Sequence, residues 1–199
     1  MAIKPIAKMG QPVLLERALA LAADRDAAPA LAADLVDTMV DAGGIGLAAP
    51  QIFKGLRAIA FEVPETVPDP IGRVPRAPGS EAVPPDEGEG QAGAPLGTGY
   101  EVLLNPEVVF LSDEREIGWE GCLSIPGLRG EVPRCPHIRY TGIRPDGTRV
   151  EREAKALHAR VVQHEMDHLD GILFPTRMTD LTTLVFDSEF EAFLGRQSE

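Results

Sequence analysis

The pattern of apolar and polar positions predicts two amphipathic helices among several strands. Apolar residues recur at helical spacing over 30–42 and again over 156–170, and glycines follow both stretches. Alternating or continuous apolar runs predict strands at 56–63, 100–104, 108–111, 117–125, 137–143 and 148–152. Residues 181–193 mix apolar positions with acids and predict either a final strand or a short helix. Together these elements predict an α+β fold built from small mixed or antiparallel sheets.

Residues 64–99 interrupt this pattern with a composition of their own. They contain eight prolines, seven glycines and no aromatic residue. Such a stretch cannot bury enough apolar surface to offset the entropy of ordering it, so we interpret it as a long loop or a partly disordered insertion. The alternative is a lid over a functional site. Strands are predicted on both sides, and 199 residues most simply make one domain, 1–199, with the insertion inside it.

The charge and the cysteines restrict the partners and the compartment. The formal net charge of −12 disfavours nucleic acid, DNA included, and anionic membranes, because both attract basic surfaces. No apolar run of signal-peptide length follows Met1, and none reaches the roughly 20 residues of a membrane span. Two cysteines thirteen positions apart, with no sign of export, favour free thiols over a disulfide. We therefore expect a cytoplasmic protein.

The strongest chemical signal is the stretch Gln163–His168, which has the form His-Glu-x-x-His. On a helix, positions four apart lie on one face, so His164 and His168 can bind the same metal ion. Glu165 lies beside the first histidine, where a carboxylate can take a proton from water that the metal activates. The alternative is a surface helix whose two histidines share a face by chance.

A catalytic metal commonly has three protein ligands and one position open to water, so a third ligand is needed. Cys122 and Cys135 are candidates because a thiolate binds Zn²⁺ or Fe²⁺ well. His137 and His158 are further candidates. A free cysteine is usually a small buried core residue, and a lone histidine is usually a surface or satisfied group. The residue chemistry alone does not choose between the cysteines.

The stretch Gly44–Gln51 contains two glycines and two alanines, so another chain can lie close to its backbone. The alternative is a tight helix-to-strand connection that needs small residues for its own packing.

Three stretches of the sequence resemble peptide deformylase and occur in the order found in that family. They are Gly44–Gln51, 120–124 (Glu-Gly-Cys-Leu-Ser) and 163–168. The three motifs in order are highly specific, and the likeness is closest to the type I branch of bacteria and organelles. It runs from about residue 8 to 178, apart from the insertion.

The resemblance implies a metal-dependent hydrolase that removes the formyl group from the N-terminal formylmethionine of newly synthesised proteins and releases formate. Small sheets would surround a central helix that carries the His-Glu-x-x-His residues. Three residues would hold the metal, namely Cys122, His164 and His168. Glu165 would act as the general base and then as the general acid. The side-chain amide of Gln51 and the backbone N–H of Leu123 would stabilise the oxyanion.

The resemblance also implies where the substrate lies and which metal is bound. The N-formylmethionyl peptide would add alongside the Gly44–Gly46 segment as an extra strand. The substrate-binding residues would be Gly44, Ile45, Gly46, Gly121, Leu157 and Val161. Of these, Ile45, Leu157 and Val161 would line the methionine pocket. Fe²⁺ is the metal associated with the family in the cell, and Zn²⁺, Ni²⁺ and Co²⁺ are accepted as well.

Two features bear on partners beyond the substrate. Some family members dock on the ribosome through a basic C-terminal helix, so a transient ribosome contact is an expectation. Here the tail is acidic, through Asp187, Glu189, Glu191 and Glu199, and ribosomal phosphate would repel it. Arg160, next to Val161, is expected to be an exposed helix charge whose stem packs against the surface.

Two other functions are open to the same motif. A metallopeptidase usually takes its third ligand from a downstream carboxylate or histidine, and the carboxylates available are Asp170, Asp180, Asp187 and Glu189. Cys122 and Gln51 would then have no role. A metal-stabilised scaffold without turnover would need neither Glu165 as a base nor Gln51 as a donor.

Overall fold

The computed structural model describes residues 3–21, 27–62 and 99–197. Within them the chain forms three α-helices and eight strands, joined by short 3₁₀ turns. In chain order these elements are α1 (Ala28–Asp41), β1 (Gly46–Ala48), β2 (Ala58–Glu62), β3 (Tyr100–Phe110), β4 (Glu116–Cys122), β5 (Ile125–Arg134), β6 (His137–Ile143), β7 (Arg149–Lys155), α2 (Ala156–Leu169), β8 (Val185–Phe186) and α3 (Phe190–Gln197). The predicted insertion at 64–99 lies outside the described residues, apart from Gly99.

Five strands form an antiparallel sheet in the order β1-β2-β3-β6-β7. Successive side chains of a strand point to opposite faces, and β2 shows the consequence. Its Ile59 and Phe61 belong to one core cluster, whereas Ala58 and Ala60 belong to another. Residues of α2 fill the first cluster and residues of α1 fill the second, so the two helices cover opposite faces of this sheet.

The remaining strands form a smaller antiparallel sheet in the order β4-β5-β8. We predicted a single strand over 117–125, and this was wrong, because the chain turns at Leu123 and Ser124. Cys122 pairs with Ile125 across that tight turn. An apolar run interrupted by a two-residue turn reads like one continuous strand in the sequence. The turn matters because it places Cys122 at the tip of a hairpin.

β3 is also longer than predicted, since 100–104 and 108–111 are not separate strands. The pairing with β6 shifts register between Leu104 and Glu107 instead of breaking. Asn105 takes a positive φ of 47° at that irregularity. Its side chain accepts a hydrogen bond from the N–H of Leu21 at 2.8 Å and donates to the C=O of the same residue at 3.1 Å. These two bonds satisfy the backbone N–H and C=O of Leu21, and β3 continues past the bulge.

The predicted α+β class with small antiparallel sheets and few helices is confirmed. Both predicted helices are present, and each is within two residues of its predicted bounds. No helix among the described residues is long and apolar enough to cross a membrane.

The C-terminal residues form both of the alternatives that the sequence left open. β8 pairs with β5, and α3 follows it. Phe190, at the start of α3, is buried, and its ring meets Trp119 of β4 edge-on with centroids 4.7 Å apart. The guanidinium of Arg129 lies 4.3 Å from the centroid of the same ring. The ring of Phe193, also in α3, meets Trp119 with centroids 5.8 Å apart. Two aromatic side chains therefore hold α3 against the smaller sheet, and Phe190 is the buried one.

We predict that Phe190→Ala loosens the packing of α3 on Trp119 and lowers the free energy of unfolding by about 3 kcal/mol, because a large buried ring is lost. Trp119 is the only tryptophan, so its fluorescence should move to longer wavelength as its cover is removed. Phe186→Ala is the matched control, since Phe186 is 61% exposed and should change little. Equal unfolding midpoints for the two variants in urea would contradict this anchoring role.

Candidate active site

Three elements bring the predicted site residues together. α2 carries His164, Glu165 and His168, with the two histidines one turn apart on the same face. The β4–β5 hairpin carries Cys122 at its tip. A 3₁₀ turn that follows β1, Ala49–Ile52, carries Gln51, which is 1% exposed. The site thus lies where α2 meets both sheets.

The ligand atoms of Cys122, His164 and His168 all lie within 4.8 Å of one another. The sulfur of Cys122 is 3.2 Å from Nε2 of His168. One sulfur and two ring nitrogens at this separation can surround a single metal ion. A zinc ion, for example, lies about 2.3 Å from a sulfur ligand and about 2.0–2.1 Å from a nitrogen ligand. The structure therefore brings these three predicted ligands together.

The other candidate thiol and the lone histidines have partners elsewhere. The Cys135 thiol is within hydrogen-bond distance of the carbonyls of Ser112 and His137, at 3.2 and 3.0 Å. The ring of His137 bonds Glu153 at 2.9 Å, and Nε2 of His158 lies 3.2 Å from the hydroxyl of Tyr140. These contacts are typical of residues that satisfy one another within the fold, so Cys122 is the cysteine that joins the histidine pair.

The downstream carboxylates proposed for a peptidase also have other partners. Asp170 pairs with Arg57 at 2.8 Å, and Asp180 accepts from the backbone of Thr182 at 2.8 Å. Asp187 pairs with an arginine of β5. The metal-binding cluster found among the described residues contains no downstream carboxylate.

His164 is oriented by Glu120, a buried residue of β4. Nδ1 of His164 lies 2.8 Å from Oε2 of Glu120, which leaves Nε2 of the ring free to bind a metal. Burial alone would raise the pKa of Glu120, but hydrogen bonds from Arg134 and His164 outweigh it and hold that pKa well below its usual range. Glu120 is therefore a permanent carboxylate, and Nδ1 of His164 must donate to it.

The pKa values of the two histidines are shifted in opposite directions. Burial lowers the pKa of His168 well below its usual range, and the neighbouring His164 adds to this effect. Burial would lower the pKa of His164 too, but hydrogen bonds with Cys122 and Glu120 outweigh it and raise that pKa well above its usual range. The low pKa of His168 keeps its ring neutral, which is the form of imidazole that binds a metal ion.

Glu165 is buried directly beside these ligands, at 3% exposure. Its Oε2 has no hydrogen-bond partner among the described residues, and neither has Nδ1 of His168. Burial raises the pKa of Glu165 to about 7, against the opposing effect of His164. A buried carboxylate oxygen without a partner is costly unless a proton, water or ligand completes it. Glu165 is thus suited to exchange a proton near neutral pH.

Gln51 presents its amide nitrogen to the sulfur side of the site. Its Oε1 accepts from the N–H of Ala48 at 2.8 Å, so the amide can point only one way. Nε2 then donates to Oγ of Ser124 at 3.1 Å and lies 3.6 Å from the sulfur of Cys122. Leu123 occupies the turn directly after Cys122. The N–H of Ser124, the next residue of that turn, donates to the same sulfur at 3.4 Å. Two donors, the Gln51 amide and the Ser124 N–H, therefore flank the thiol.

Gly44 and Gly46 are needed by the site residues themselves. A β-carbon on Gly46 would collide with the carboxylate of Glu165, whose Cδ would be 2.8 Å away. A β-carbon on Gly44 would lie 2.7 Å from Cδ1 of Leu123. The small residues were predicted to admit a peptide, and the structure adds that they also let Glu165 and Leu123 lie against β1 and the residues before it. Gly121 has more room, since a β-carbon there would make only ordinary contact at 3.7 Å.

The residues predicted to line a methionine pocket share one apolar cluster. Val161 is part of that core, and Ile45 and Leu157 pack against it while partly buried. A cleft of about 320 Å³ opens next to Leu157, between the start of α2 and β4, and Gly118 and Arg160 also line it.

Two buried arginines lie beside the site, and the sequence did not indicate that either would be buried there. Arg134 forks onto Glu120 at 2.8 and 3.0 Å and reaches Asp167 at 2.6 Å. Arg160 was predicted to be exposed, and this was wrong, because only 11% of its side chain is accessible. It bonds Glu120 at 2.9 Å. Glu120, Ser124 and Asp167 lie inside the motif stretches, but no spacing rule signals either arginine.

One sulfur and two imidazoles beside a buried carboxylate are typical of hydrolases that activate water on a metal ion. Comparison with known proteins narrows this class. A family model described as polypeptide deformylase matches residues 3–183. Peptide deformylase 1 of Bordetella pertussis is 48% identical over 183 residues, which are 90% of each chain. Peptide deformylase 1 of Nitrosomonas europaea is 43% identical over 182 residues, or 90% of this chain and 89% of that one.

Solved structures agree with the sequence comparison. The class I type b peptide deformylase of Acinetobacter baumannii with bound Met-Ala-Ser superposes with a TM-score of 0.71 at 30% identity, covering 89% of this chain and 99% of that one. The enzyme of Thermotoga maritima gives 0.70 at 27% identity, covering 90% and 100%. The chain belongs to the peptide deformylase family, whose members are metal-dependent hydrolases that remove the N-terminal formyl group from nascent proteins.

We predict that Gly46→Ala lowers kcat about 100-fold or more while metal content stays unchanged, because the new methyl group displaces the Glu165 carboxylate. Formate release and metal analysis on the same preparation measure both. Gly55→Ala is the matched control, since a β-carbon there meets nothing within 4 Å. Loss of metal together with activity in Gly46→Ala would show that the glycine serves the ligands rather than Glu165.

Proposed function

We propose that Cys122, His164 and His168 hold one divalent metal ion at which this chain hydrolyses the formyl group of N-formylmethionyl peptides. The observation that carries this proposal is the convergence of those three ligand atoms within 4.8 Å, against a buried carboxylate and a fixed amide donor. α2 is then the central, metal-binding helix of the fold. We also propose that residues 1–199 form one catalytic domain, with the Pro/Gly-rich insertion at 64–99 inside it.

Each residue around the ligands has a role in the reaction. A divalent cation held by Cys122, His164 and His168 would supply a Lewis acid, which lowers the pKa of water and polarises the formyl oxygen. Glu165, with a pKa of about 7, takes the proton of the attacking water and passes it to the departing amine. The amide of Gln51 and the backbone N–H of Leu123 donate to the oxygen on which negative charge develops. Fixed donors at that point stabilise the transition state more than the substrate.

The geometry of β1 supports a peptide bound as an added strand. β1 is at the end of its sheet, so one of its edges has no neighbouring strand among the residues that the structure describes. The C=O of Ile45 accepts from the N–H of Glu62 on β2 at 2.9 Å. Because hydrogen-bonding directions alternate along an antiparallel strand, the N–H and C=O of Gly46 point to the other edge. A peptide pairing there would pass Glu165, with Gly44, Ile45 and Gly121 alongside.

The pocket for the methionine side chain is proposed to have three apolar walls, Leu157, Val161 and Ile45. Leu157 and Val161 are one turn apart on α2, and Val161 precedes His164 by three positions. A side chain that follows the formyl group into this apolar cluster would therefore lie on the metal-binding face of the helix.

We propose Fe²⁺ as the metal in the cell, with Zn²⁺, Ni²⁺ or Co²⁺ able to replace it. One sulfur and two imidazole nitrogens suit all of these ions, so availability decides which is bound. We also propose a cytoplasmic location, because the formylated ends of nascent proteins are produced there. A transient ribosome contact stays a prediction, and the C-terminal segment gives it no support. Its acids Asp187, Glu189 and Glu191 are exposed, and ribosomal phosphate would repel them.

The direct test is formate release from a formyl-Met-Ala peptide by protein purified anaerobically with Fe²⁺ or Ni²⁺. We expect turnover with metal, loss of turnover with a chelator, and recovery when metal is returned. Cleavage of an unformylated peptide is measured in parallel, because it is the activity of a metallopeptidase. A metal-loaded protein that releases no formate would refute the proposal.

The ligand assignment makes a sharper prediction. Cys122→Ala should lose the metal, because the only sulfur in the cluster is removed. Cys135→Ala is the matched control and should keep the metal, since its thiol bonds the backbone carbonyls of Ser112 and His137 and is not part of the ligand cluster. Metal content of both variants is measured after dialysis. If Cys122→Ala retained metal as tightly as the parent, the assignment of the third ligand would be wrong.

The role of Glu165 is separable from metal binding. Glu165→Ala should keep the metal and lose at least about 100-fold in kcat, because the proton acceptor is removed while all three ligands stay. Metal content and formate release on the same sample distinguish the two effects. A variant that retains turnover would show that another group moves the proton.

A further inference from the structure

Arg160 belongs to α2, but its guanidinium lies against the strands of the smaller sheet. Nη1 lies 2.7 Å from the carbonyl of Val132 on β5 and 3.2 Å from that of Gly118 on β4. Nη2 donates to the carbonyl of Glu116 at 2.7 Å. Nη1 also lies 2.9 Å from Oε1 of Glu120. One side chain of the helix is thus bonded to both strands of the hairpin that carries Cys122.

Because residue 118 is a glycine, the guanidinium of Arg160 can lie against the backbone of β4. A β-carbon on Gly118 would lie 2.8 Å from Nη2 and 2.9 Å from Cζ of Arg160. The φ of Gly118 is not in the left-handed region, so the backbone itself does not require glycine there. The absence of a side chain at 118 is therefore explained by the guanidinium that lies against it.

Arg160 and His164 are one turn apart on α2, and both reach the same carboxylate. Arg160 bonds Oε1 of Glu120, and His164 bonds Oε2. Arg134 bonds both oxygens, but it comes from β5, in the same hairpin as Glu120. Its own link to α2 runs through Asp167. Besides the ligand His164 itself, Arg160 thus bonds the carboxylate directly from the helix that carries the two histidines.

We propose that Arg160 is a positioning residue that holds the Glu120 carboxylate, and through it the ring of His164, in the orientation required for metal binding. The inference rests on the proposed function, because it takes His164 to be a ligand. Without Arg160, Glu120 keeps the fork of Arg134 and the bond of His164. The carboxylate then has one fewer restraint, so metal affinity falls but is not abolished.

The test measures Zn²⁺ affinity by competition with a chromophoric chelator. Arg160→Met should weaken binding about tenfold, at the lower end of the loss seen when an outer partner of a ligand is removed. Arg160→Lys should recover part of the loss, because an ammonium can bond Oε1 of Glu120 but cannot reach all three carbonyls. Arg139→Met is the control, since Arg139 is a half-exposed residue of β6 paired with Glu153 and should bind Zn²⁺ like the parent.

A double-mutant cycle with Gly118 separates positioning from general loosening of the fold. Gly118→Ala should weaken Zn²⁺ binding by itself, because its methyl group pushes the guanidinium of Arg160 away. The double variant Gly118→Ala/Arg160→Met should bind as Arg160→Met does, since the methyl group then has nothing to displace. Unfolding midpoints followed by Trp119 fluorescence verify that each variant is folded when it is titrated.

The outcomes distinguish this inference from the proposed function. Equal Zn²⁺ affinity in Arg160→Met and the parent would overturn the positioning role, as would losses that simply add in the double variant. Failure of the parent protein to release formate while it binds Zn²⁺ would instead overturn the proposed reaction. The Arg160 effect on affinity would still be measurable in that case.

Discussion

The arrangement of this molecule depends on one buried carboxylate, Glu120. It accepts four hydrogen bonds, two from Arg134 and one each from Arg160 and His164. A buried charge is tolerated only when its partners satisfy it, and removing one partner of such a pair commonly costs about 3–5 kcal/mol. The bonds join β4, β5 and α2, so the same contact holds the small sheet to the helix and fixes the tautomer of His164.

The rest of the fold places reacting groups around that contact. The β4–β5 turn at Leu123 puts Cys122 opposite the histidines, and Ser124 in the same turn holds Gln51. Glycine at 46 allows Glu165 to lie directly against β1. The site is therefore assembled between two sheets by short, satisfied polar contacts, while Glu165 keeps an oxygen without a protein partner among the described residues. That oxygen is the group left available for chemistry.

The sequence predicted the residues that carry the chemistry better than it predicted how side chains pack around them. His164 and His168 were recognisable because helical spacing is local, and α1 and α2 were predicted within two residues of their bounds. The choice of Cys122 over Cys135 came from the family resemblance, because residue types alone do not reveal which thiol a hairpin turn presents. Arg160 was misjudged for a similar reason. The periodicity of a helix identifies its polar face, but not that a second sheet covers that face.

The central claim is that one sulfur and two imidazole nitrogens of this chain bind a single metal ion. X-ray absorption at the metal edge of the Zn²⁺- or Fe²⁺-loaded protein tests it most directly. For zinc, the account predicts one sulfur neighbour at about 2.3 Å and two imidazole nitrogens at about 2.0–2.1 Å, with light-atom scattering from the remaining position. A first shell without sulfur, or with two sulfurs, would contradict the assignment of Cys122, His164 and His168 as the complete set of protein ligands.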